Sequence, residues 1–211
     1  MIDAVVFDFG GVFIASPFEA LREIGEAQGA AFDQTIAIVF GPYDLDTDHP
    51  WHRAERGELD IVSARNAILD LGREQGFELD LFEMMKNLAG GGGVNPEMVE
   101  LVRRVRDRGL KTALLTNNIA EGREFWQGLL PVDELFDATI DSSAVGMRKP
   151  DPRIYSHALT EIGGVAPERA VFLDDYPGNI GAAEAVGMIG VLVEADATTA
   201  IARVDELLAQ V

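Results

Sequence analysis

Hydrophobic and polar positions fall into two different patterns along the chain. Residues 4–8, AVVFD, are a short β-branched run ending on one acid, Asp8, which predicts a buried strand. From Ser16 to about Leu88, apolar residues recur at helical spacing, as in SARNAILDLG and LFEMMKNLAG, and we predict no strand there. Ser16 followed by Pro17 is typical of a helix N-terminus. Four consecutive glycines at 90–93 then predict a hinge or linker.

After the glycines, predicted strands and helices alternate. Strands are predicted in KTALLTNN, FDATIDS, AVFLDD and MIGVLVE, and helices begin near Asn95 and Asp151, in PGNIGAAEAVG, and before the end of the chain. Such alternation is typical of a parallel α/β sheet covered on both faces. Because a lone strand cannot bury itself, residues 4–8 must join that sheet. We therefore predict a doubly wound, parallel-sheet (Rossmann-like) core, residues 1–15 and 89–211, with an inserted α-helical cap domain, residues 16–88.

Composition narrows the class of partner. The 211 residues are 47% apolar and 25% charged, which fits one large domain or one domain with an insertion. The 36 acidic residues exceed the 17 Lys and Arg residues, so the formal charge is −19. Such a surface repels nucleic acids, anionic membranes and, at long range, phosphorylated substrates. Any anion site must therefore create its own local positive field. The sequence has no cysteine, which excludes disulfides and thiolate chemistry.

Targeting signals are not predicted. The N-terminus lacks a basic leading segment, and Asp3 and Asp8 interrupt its apolar run, unlike a signal peptide. No apolar stretch reaches the roughly 18 residues of a membrane span. We expect a cytoplasmic protein without nucleic-acid or membrane partners, and leave its oligomeric state open.

Polar residues follow the predicted strands where parallel sheets bind ligands, at their carboxyl ends. Asp8 ends the first strand, Thr116 and Asn117 end another, a loop after FDATIDS leads to Lys149, and AVFLDD ends on Asp174 and Asp175. Taken singly, Asp8 fits a turn cap, Thr116 fits ordinary strand propensity, and Lys149 fits a solvated side chain. Adjacent acids after an apolar strand instead favour a hard cation such as magnesium.

Four segments carry a family resemblance. FDFGGV, LLTNN, GMRKPDPRIY and VFLDDYPGNIGAAEAVGM resemble, in order, the four motifs of the haloacid dehalogenase-like hydrolases. The resemblance covers most of the core and includes the helical insertion after the first strand. Within that superfamily the sequence resembles sugar-phosphate phosphatases such as glucose-1-phosphate phosphatase, and the N-terminal phosphatase domain of soluble epoxide hydrolases. ERGELD, residues 55–60, is similar to a segment of those relatives.

The resemblance implies a magnesium-dependent hydrolase of small phosphate monoesters. Asp8 is expected to be the nucleophile that attacks phosphorus and becomes an aspartyl-phosphate. Lys149 is expected to neutralise developing charge and to keep Asp8 ionised. The resemblance implies a substrate-binding set made of Gly11, the Thr116 hydroxyl, the Asn117 backbone amide and Lys149. It implies a Mg²⁺ site made of Asp8, the Gly10 carbonyl, Asp174 and Asp175.

Position 10 departs from the family pattern. Most phosphatases of the family carry a second Asp two residues after the nucleophile, where its carbonyl binds the metal and its side chain acts as general acid and base. Gly10 retains the carbonyl but has no acidic side chain. The loss of a positioned proton donor typically lowers the reaction rate by about 10²- to 10⁴-fold. Substitutes in this sequence are Tyr176, Glu55 or His52, with no choice among them. A positive φ at Gly10 would also oppose replacement by Asp.

Two other functions remain open. A haloacid dehalogenase, in which Asp8 attacks carbon, needs neither the metal nor the second Asp, although LDDYPGN favours a phosphatase because dehalogenases lack the paired acids. The third hypothesis is a catalytically weak module that binds a phosphorylated ligand or a partner protein. Residues 40–57 are either an ordinary loop or part of the specificity pocket, through Tyr43, His49, Trp51, His52 and Arg53. The physiological substrate is not specified by the sequence.

Overall fold

A five-stranded parallel sheet forms the centre of the molecule. The computed structural model describes residues 1–90 and 93–209, and within them the strand order is β3-β2-β1-β4-β5. This arrangement confirms the predicted α/β core and the membership of the first strand. The strands are β1 (Ala4–Phe7), β2 (Lys111–Thr116), β3 (Ala138–Asp141), β4 (Ala170–Asp174) and β5 (Ile189–Leu192).

The register of the sheet brings its functional edge together. Ala4 of β1 pairs with Lys111 on one side and with Ala170 on the other, and at the far end of β1, Phe7 lies beside Leu114 and Leu173. β1, the centre of β2 and all of β4 are fully buried. Because the three strands run in parallel and in step, their next residues emerge at one edge of the sheet.

Helices account for the rest of the regular structure. Short 3₁₀ turns lie at Ala120–Gly122 and Pro167–Arg169. The helices that the structure describes are α1 (Pro17–Glu26), α2 (Phe32–Val39), α3 (Pro50–Glu55), α4 (Ile61–Glu74), α5 (Leu81–Gly90), α6 (Pro96–Asp107), α7 (Arg123–Gln127), α8 (Val132–Leu135), α9 (Ser142–Val145), α10 (Pro152–Glu161), α11 (Pro177–Ala185) and α12 (Thr198–Ala209).

The sheet is covered on both faces, as a doubly wound fold requires. Buried residues of α6 and α12 pack with Phe7 and Leu114 on one face. Buried residues of α10 and α11 pack with Val6 and Phe172 on the other face. Alternate residues of β1 thus pack into the hydrophobic cores on opposite faces of the sheet. This explains why the sequence of β1 is continuously apolar and does not alternate between apolar and polar residues.

Helices α1–α5 form a separate hydrophobic cluster. No strand interrupts residues 16–88, as the apolar spacing predicted. The cluster includes Leu21 of α1, Ile38 of α2, Ile68 of α4 and Met84 of α5. We call residues 16–88 the helical segment. Of the predicted glycine linker, Gly91 and Gly92 lie outside the described residues; Gly90 ends α5 and the Asn95 side chain caps α6.

A buried ion pair joins the helical segment to the rest of the protein. The Arg148 Nε donates to a Glu55 carboxylate oxygen at 2.6 Å, and the two side chains are 0% and 1% exposed. The same guanidinium donates to the Leu45 carbonyl at 2.8 Å and lies 5.1 Å from the Tyr43 ring. Arg148 directly precedes Lys149 in the chain, so this contact fixes the helical segment against the loop that carries the lysine.

Within residues 1–90 and 93–209, none of the helices combines the length and the apolar character that a membrane crossing requires.

Replacing Glu55 with Ala is expected to destabilise the protein strongly. The substitution leaves the Arg148 guanidinium buried without its counter-charge, which typically costs about 3–5 kcal/mol. Chemical denaturation followed by circular dichroism measures the free energy of unfolding. The matched control is Glu58→Ala, because Glu58 pairs with Arg56 while its side chain is 46% exposed. That control should lose less than about 1 kcal/mol, and equal losses in both variants would show that the buried pair adds no special stability.

Candidate functional site

Three carboxylates meet at the carboxyl edge of the sheet. Asp8 follows β1, Asp174 ends β4, and Asp175 is the next residue. One carboxylate oxygen from each lies within 4.8 Å of the others. Asp8 and Asp174 are buried, with 7% and 0% of their surface exposed. The strand register therefore concentrates three acids in a place that water reaches poorly.

Lys149 is the cation that lies between two of these acids. Its Nζ is 2.7 Å from an Asp8 oxygen and 2.6 Å from an Asp174 oxygen, and the lysine is 1% exposed. Burial by itself lowers the pKa of Lys149, but the charges of Asp174 and Asp8 outweigh it and the pKa is raised. The ammonium group is therefore held in its charged form, and it supplies a local positive field on an otherwise acidic chain.

Asn117 holds the backbone of Lys149 in place. Its side-chain oxygen accepts from the Lys149 N–H at 2.8 Å, and its Nδ2 donates to the Lys149 carbonyl at 3.0 Å. The family resemblance implies a role only for the backbone amide of Asn117, and this side-chain contact was not predicted from the sequence. Thr116, 2% exposed, lies at the end of β2 directly before it.

Asp174 is held by two further donors. Asn179 in the first turn of α11 donates through Nδ2 to both Asp174 carboxylate oxygens at 3.1 Å, and the Tyr176 backbone N–H donates at 2.8 Å. Asn179 is 2% exposed. Asn179 was not predicted as a site residue from the sequence, although it lies inside the motif VFLDDYPGNIG. The available signal was its spacing, five residues after Asp174 and within the first turn of a helix.

Asp175 is positioned by Ser16 and Gly11. The Ser16 hydroxyl donates to an Asp175 oxygen at 2.5 Å, while its oxygen caps α1 by accepting from the Phe18 N–H at 3.4 Å. Gly11 has a φ of 70°, and a Cβ there would lie 2.1 Å from an Asp175 oxygen. Both the backbone conformation and this close approach require glycine at position 11.

The three acids repel one another in their ionised forms. Burial, then Asp174 and Asp175, raises the pKa of Asp8 to about 8 although Lys149 opposes the shift. Burial and then Asp174 raise the pKa of Asp175 to about 7, with Ser16 and Lys149 opposing. One lysine thus faces three carboxylates. Oxygen ligands in this number, short of positive charge, are suited to a hard divalent cation.

Gly10 does not have the backbone conformation considered for it from the sequence. Its φ lies outside the left-handed region, so that expectation was wrong, and it is Gly11 that has the positive φ. A Cβ at position 10 would lie 3.3 Å from the Cδ of Pro17. A side chain there requires Pro17 to shift by a few tenths of an ångström. Space beside Pro17, rather than backbone strain, therefore limits what position 10 accepts.

A small chamber of about 40 Å³ lies in front of Asp8. Aromatic rings of the helical segment cover it: Phe18 stacks on Tyr176 with ring centroids 5.1 Å apart, and Tyr43 meets Tyr176 edge-on at 4.9 Å. The Tyr176 hydroxyl donates to Asp44 at 2.9 Å. Besides Asp8, the chamber is lined by Gly10, Pro17, Phe18, Tyr43, Thr116, Asn117, Lys149, Asp175, Tyr176 and Asn179.

The three substitutes suggested for the missing acid lie in different places. Tyr176 lines the chamber. Glu55 does not, and its carboxylate is bound by Arg148. His52 is buried outside the chamber, where burial and then Arg148 lower its pKa to about 3, and its Nδ1 accepts from the Thr47 N–H. Of the residues suggested from loop 40–57, Tyr43 also lines the chamber, whereas Arg53 faces Glu58 at the surface.

Comparison with known proteins identifies the family. The sequence model of the haloacid dehalogenase-like hydrolases matches residues 2–187. The chain belongs to this family. The phosphatase MT3486 of Mycobacterium tuberculosis is 32% identical over 203 residues, covering 94% of this chain and 90% of that protein. The sesquiterpene phosphatase astK of Aspergillus oryzae is 28% identical over 188 residues, covering 89% and 87%.

Some relatives in the family are much longer proteins. Mouse bifunctional epoxide hydrolase 2 is 31% identical over 201 residues, and the match covers 89% of this chain but 35% of that protein. The match to mouse acyl-CoA dehydrogenase family member 10 covers 97% of this chain and 19% of that protein.

Solved structures show the same fold. A HAD-like hydrolase from Porphyromonas gingivalis superposes with a TM-score of 0.68 at 24% identity, covering 99% of this chain and 98% of that one. A HAD family enzyme from Bacteroides thetaiotaomicron, solved with magnesium and inorganic phosphate, gives a TM-score of 0.63 at 21% identity, covering 94% and 98%.

Replacing Asp8 with Asn is expected to raise the melting temperature in chelator-containing buffer, and by more as the pH rises. The pKa of Asp8 is raised from 3.8 to about 8 in the folded protein. The folded state therefore keeps a proton that the unfolded chain has released, and this stabilisation is lost as the pH climbs through that interval. Asn has no such dependence. Between the two pKa values the gain should grow by up to about 1.4 kcal/mol per pH unit, or about 3–6 °C per unit, in circular-dichroism melts. A difference that does not change with pH would contradict the electrostatic explanation.

Proposed function

We propose that this protein is a magnesium-dependent phosphatase of small phosphate monoesters that works through an aspartyl-phosphate on Asp8. One observation carries the proposal. Lys149 bridges Asp8 and Asp174 at 2.7 and 2.6 Å, within a cluster of three carboxylates at the edge of the sheet. A buried nucleophile beside a fixed cation, with ligands for a second cation, is the equipment that phosphoryl transfer requires.

The acid cluster fits a magnesium ion. We propose Asp8, Asp174 and Asp175 as its ligands, together with the Gly10 carbonyl. The raised pKa values of Asp8 and Asp175 report a shortage of positive charge, and a divalent cation corrects it. Bound Mg²⁺ would neutralise charge on the phosphoryl oxygens and keep Asp8 ionised. The magnesium and phosphate bound by the structurally similar Bacteroides enzyme support this proposal.

Different residues of the chain have different roles in the proposed reaction. An Asp8 oxygen attacks phosphorus, so that an O–P bond forms on Asp8 while the bond to the alcohol oxygen breaks. The departing oxygen takes a proton from solvent water, because Gly10 offers none, and a second water later cleaves the acyl phosphate, which releases inorganic phosphate, returns a proton to solvent and restores Asp8. We assign the phosphoryl oxygens to Gly11, the Thr116 hydroxyl and the Asn117 backbone amide. Lys149 balances the charge that develops on them.

We propose that the helical segment acts as a cap over the chamber. The cap is residues 16–88 and the core is residues 1–15 and 89–211. Phe18 and Tyr43 of the segment already cover Asp8, and Asp44 is bonded to the core residue Tyr176. Such a cover excludes water from the acyl phosphate and selects the alcohol.

The paired acids favour this chemistry over dehalogenation, which requires no metal. Gly10 is the observation that favours a weak phospho-ligand-binding module instead, since it removes the usual acid. Activity measurements separate the three hypotheses.

Purified protein should release phosphate from p-nitrophenyl phosphate in magnesium and lose that activity in excess chelator. Replacing Asp8 with Asn removes the nucleophile and should lower kcat by at least about 10³-fold. Colorimetric phosphate detection measures both effects.

The matched control for this assay is Asp3→Asn. Asp3 lies before the amino end of β1, pairs with Arg169 at 2.6 Å and is far from the acid cluster. Its substitution should leave kcat within about twofold, as for most surface changes. Comparable turnover by the Asp8 variant would refute the nucleophile assignment. Halide release from 2-haloacids without phosphate release would establish the dehalogenase. If neither activity is detected, the binding module is the hypothesis that remains.

Gly10→Asp is expected to help poor leaving groups. Without an acid at position 10, rates of the unaltered protein should fall steeply as the pKa of the departing alcohol rises. An added Asp supplies the proton and should accelerate alkyl phosphates by up to about 10²-fold while changing aryl phosphates little. Plots of log kcat/KM against leaving-group pKa measure both slopes. Pro17→Ala is combined with the substitution to relieve the 3.3 Å contact.

Gly10→Asn is the control, because it has a similar shape and no transferable proton. An equal gain from Asn would show that packing, rather than proton transfer, causes the effect. Tyr176→Phe tests the remaining substitute in the chamber. The plot of log kcat/KM against leaving-group pKa could be shallow in the unaltered protein and steeper in this variant. That result would identify Tyr176 as the general acid and would overturn the idea that the protein lacks one.

A further inference from the structure

A second, larger cavity adjoins the chamber at Asp8. It has a volume of about 410 Å³ and lies between the helical segment and the sheet edge. The cavity and the chamber share five lining residues, Gly10, Pro17, Tyr43, Thr116 and Asn117. We call this larger space the side cavity. A molecule whose phosphate lies at Asp8 would therefore have its remaining part directed into, or next to, the side cavity.

The wall of the side cavity is mostly apolar. Both halves of the molecule contribute large hydrophobic side chains to it, including Phe40, Trp51, Met84, Met85, Leu88 and Trp126. Its volume lies in the range of sites that enclose small organic ligands, which are about 300–1,000 Å³. Two methionines in one helix provide a flexible apolar surface that adapts to ligand shape.

The charged and amide side chains in this wall include three that the protein itself already binds. Glu55 is bound by Arg148 at 2.6 Å, and Asn117 is bound at both ends of its amide by Lys149. The Glu121 carboxylate accepts from the Ile61 N–H at 3.0 Å. Within the described residues, the indole N–H groups of Trp51 and Trp126 are buried without a partner, so this wall offers a ligand two free donors. A sugar carries more hydroxyl groups than two donors can satisfy, and each hydroxyl left unpaired carries a desolvation cost.

Gly10 lies where the linings of the two spaces meet. It lines both, and a Cβ at this position would approach Pro17, which also lines both. A larger residue at position 10 would therefore occupy space at this boundary. We infer that the glycine that removes the usual acid also leaves room there for a ligand to extend from the chamber toward the apolar wall.

We propose that the preferred substrates are phosphate monoesters of apolar alcohols, with the hydrocarbon part held in the side cavity. This inference rests on the proposed phosphatase function and names the substrate class of the same site. Each methylene transferred from water into the cavity should tighten binding about fourfold until the cavity is filled.

The experiment compares ethyl, butyl, hexyl and octyl phosphate with glucose 6-phosphate in magnesium. These primary alkyl esters differ little in leaving-group pKa, so the series isolates the contribution of the hydrocarbon. We expect kcat/KM to rise about fourfold per methylene along the series and the sugar phosphate to react no better than ethyl phosphate. Equal kcat/KM for all alkyl esters, or a preference for glucose 6-phosphate, would overturn the inference and leave the phosphatase standing.

A variant of the wall locates the effect. Met85→Gln keeps the length of the side chain and adds a polar amide to the side cavity, so the gain per methylene should shrink. Lys86→Gln is the matched control, because Lys86 is the next residue of α5, exposed and outside the lining. Its slope should match that of the unaltered protein. Equal slopes for all three proteins would show that the hydrocarbon binds elsewhere.

Binding without turnover makes the test independent of the phosphatase activity. Ethyl-, butyl-, hexyl- and octylphosphonate cannot be hydrolysed at their C–P bond, and isothermal titration calorimetry gives their Kd. A Kd that falls with chain length, and falls less in Met85→Gln, supports the side cavity even if no ester is hydrolysed. In that case only the proposed function fails. A Kd independent of chain length overturns the inference whatever the kinetics show.

Discussion

The contact of Lys149 with Asp8 and Asp174 is the constraint on which the rest of the site depends. Three acids at one buried edge repel one another, and this ammonium group is the positive charge that the structure places between two of them. Its position in turn relies on Asn117, which binds both backbone groups of the lysine. One lysine does not neutralise three carboxylates, so the site keeps an excess of negative charge. This excess helps to raise the pKa values of Asp8 and Asp175, and it also makes the site suitable for a divalent cation.

The neighbouring residue, Arg148, extends this arrangement into the helical segment. Its buried pair with Glu55 means that consecutive side chains, Arg148 and Lys149, bind the segment and the acid cluster respectively. A shift of the segment would therefore act on the loop that positions the lysine. The aromatic contacts of Phe18 and Tyr43 with Tyr176 add a second connection across the same boundary. The helical segment and the loop that carries Lys149 are thus mechanically linked in this architecture.

Gly10 bears on both the proposed proton transfer and the proposed substrate specificity. At this position the protein lacks an acid, has an ordinary backbone conformation, and lies where the chamber meets the apolar side cavity. Under the proposed function, the missing side chain at position 10 would slow proton transfer and would also leave room for a bulky hydrocarbon. These two proposed consequences are separable, because the first is measured from the dependence on leaving-group pKa and the second from chain length at constant leaving-group pKa.

The amino-acid sequence by itself determined the fold class, the order of the strands along the chain and the residues at the strand ends. Local patterns suffice for these, since apolar runs define strands and the carboxyl ends of parallel strands share an edge. Only the tertiary structure decided that the side chain of Asn117 holds Lys149, that Asn179 holds Asp174, that Glu55 binds Arg148 rather than lining the chamber, and that Gly11 rather than Gly10 has the positive φ. These contacts join residues from separate elements, most of them distant along the chain, and depend on distances of tenths of an ångström. The packing of whole elements sets such distances, and no local pattern of hydrophobic and polar residues encodes them.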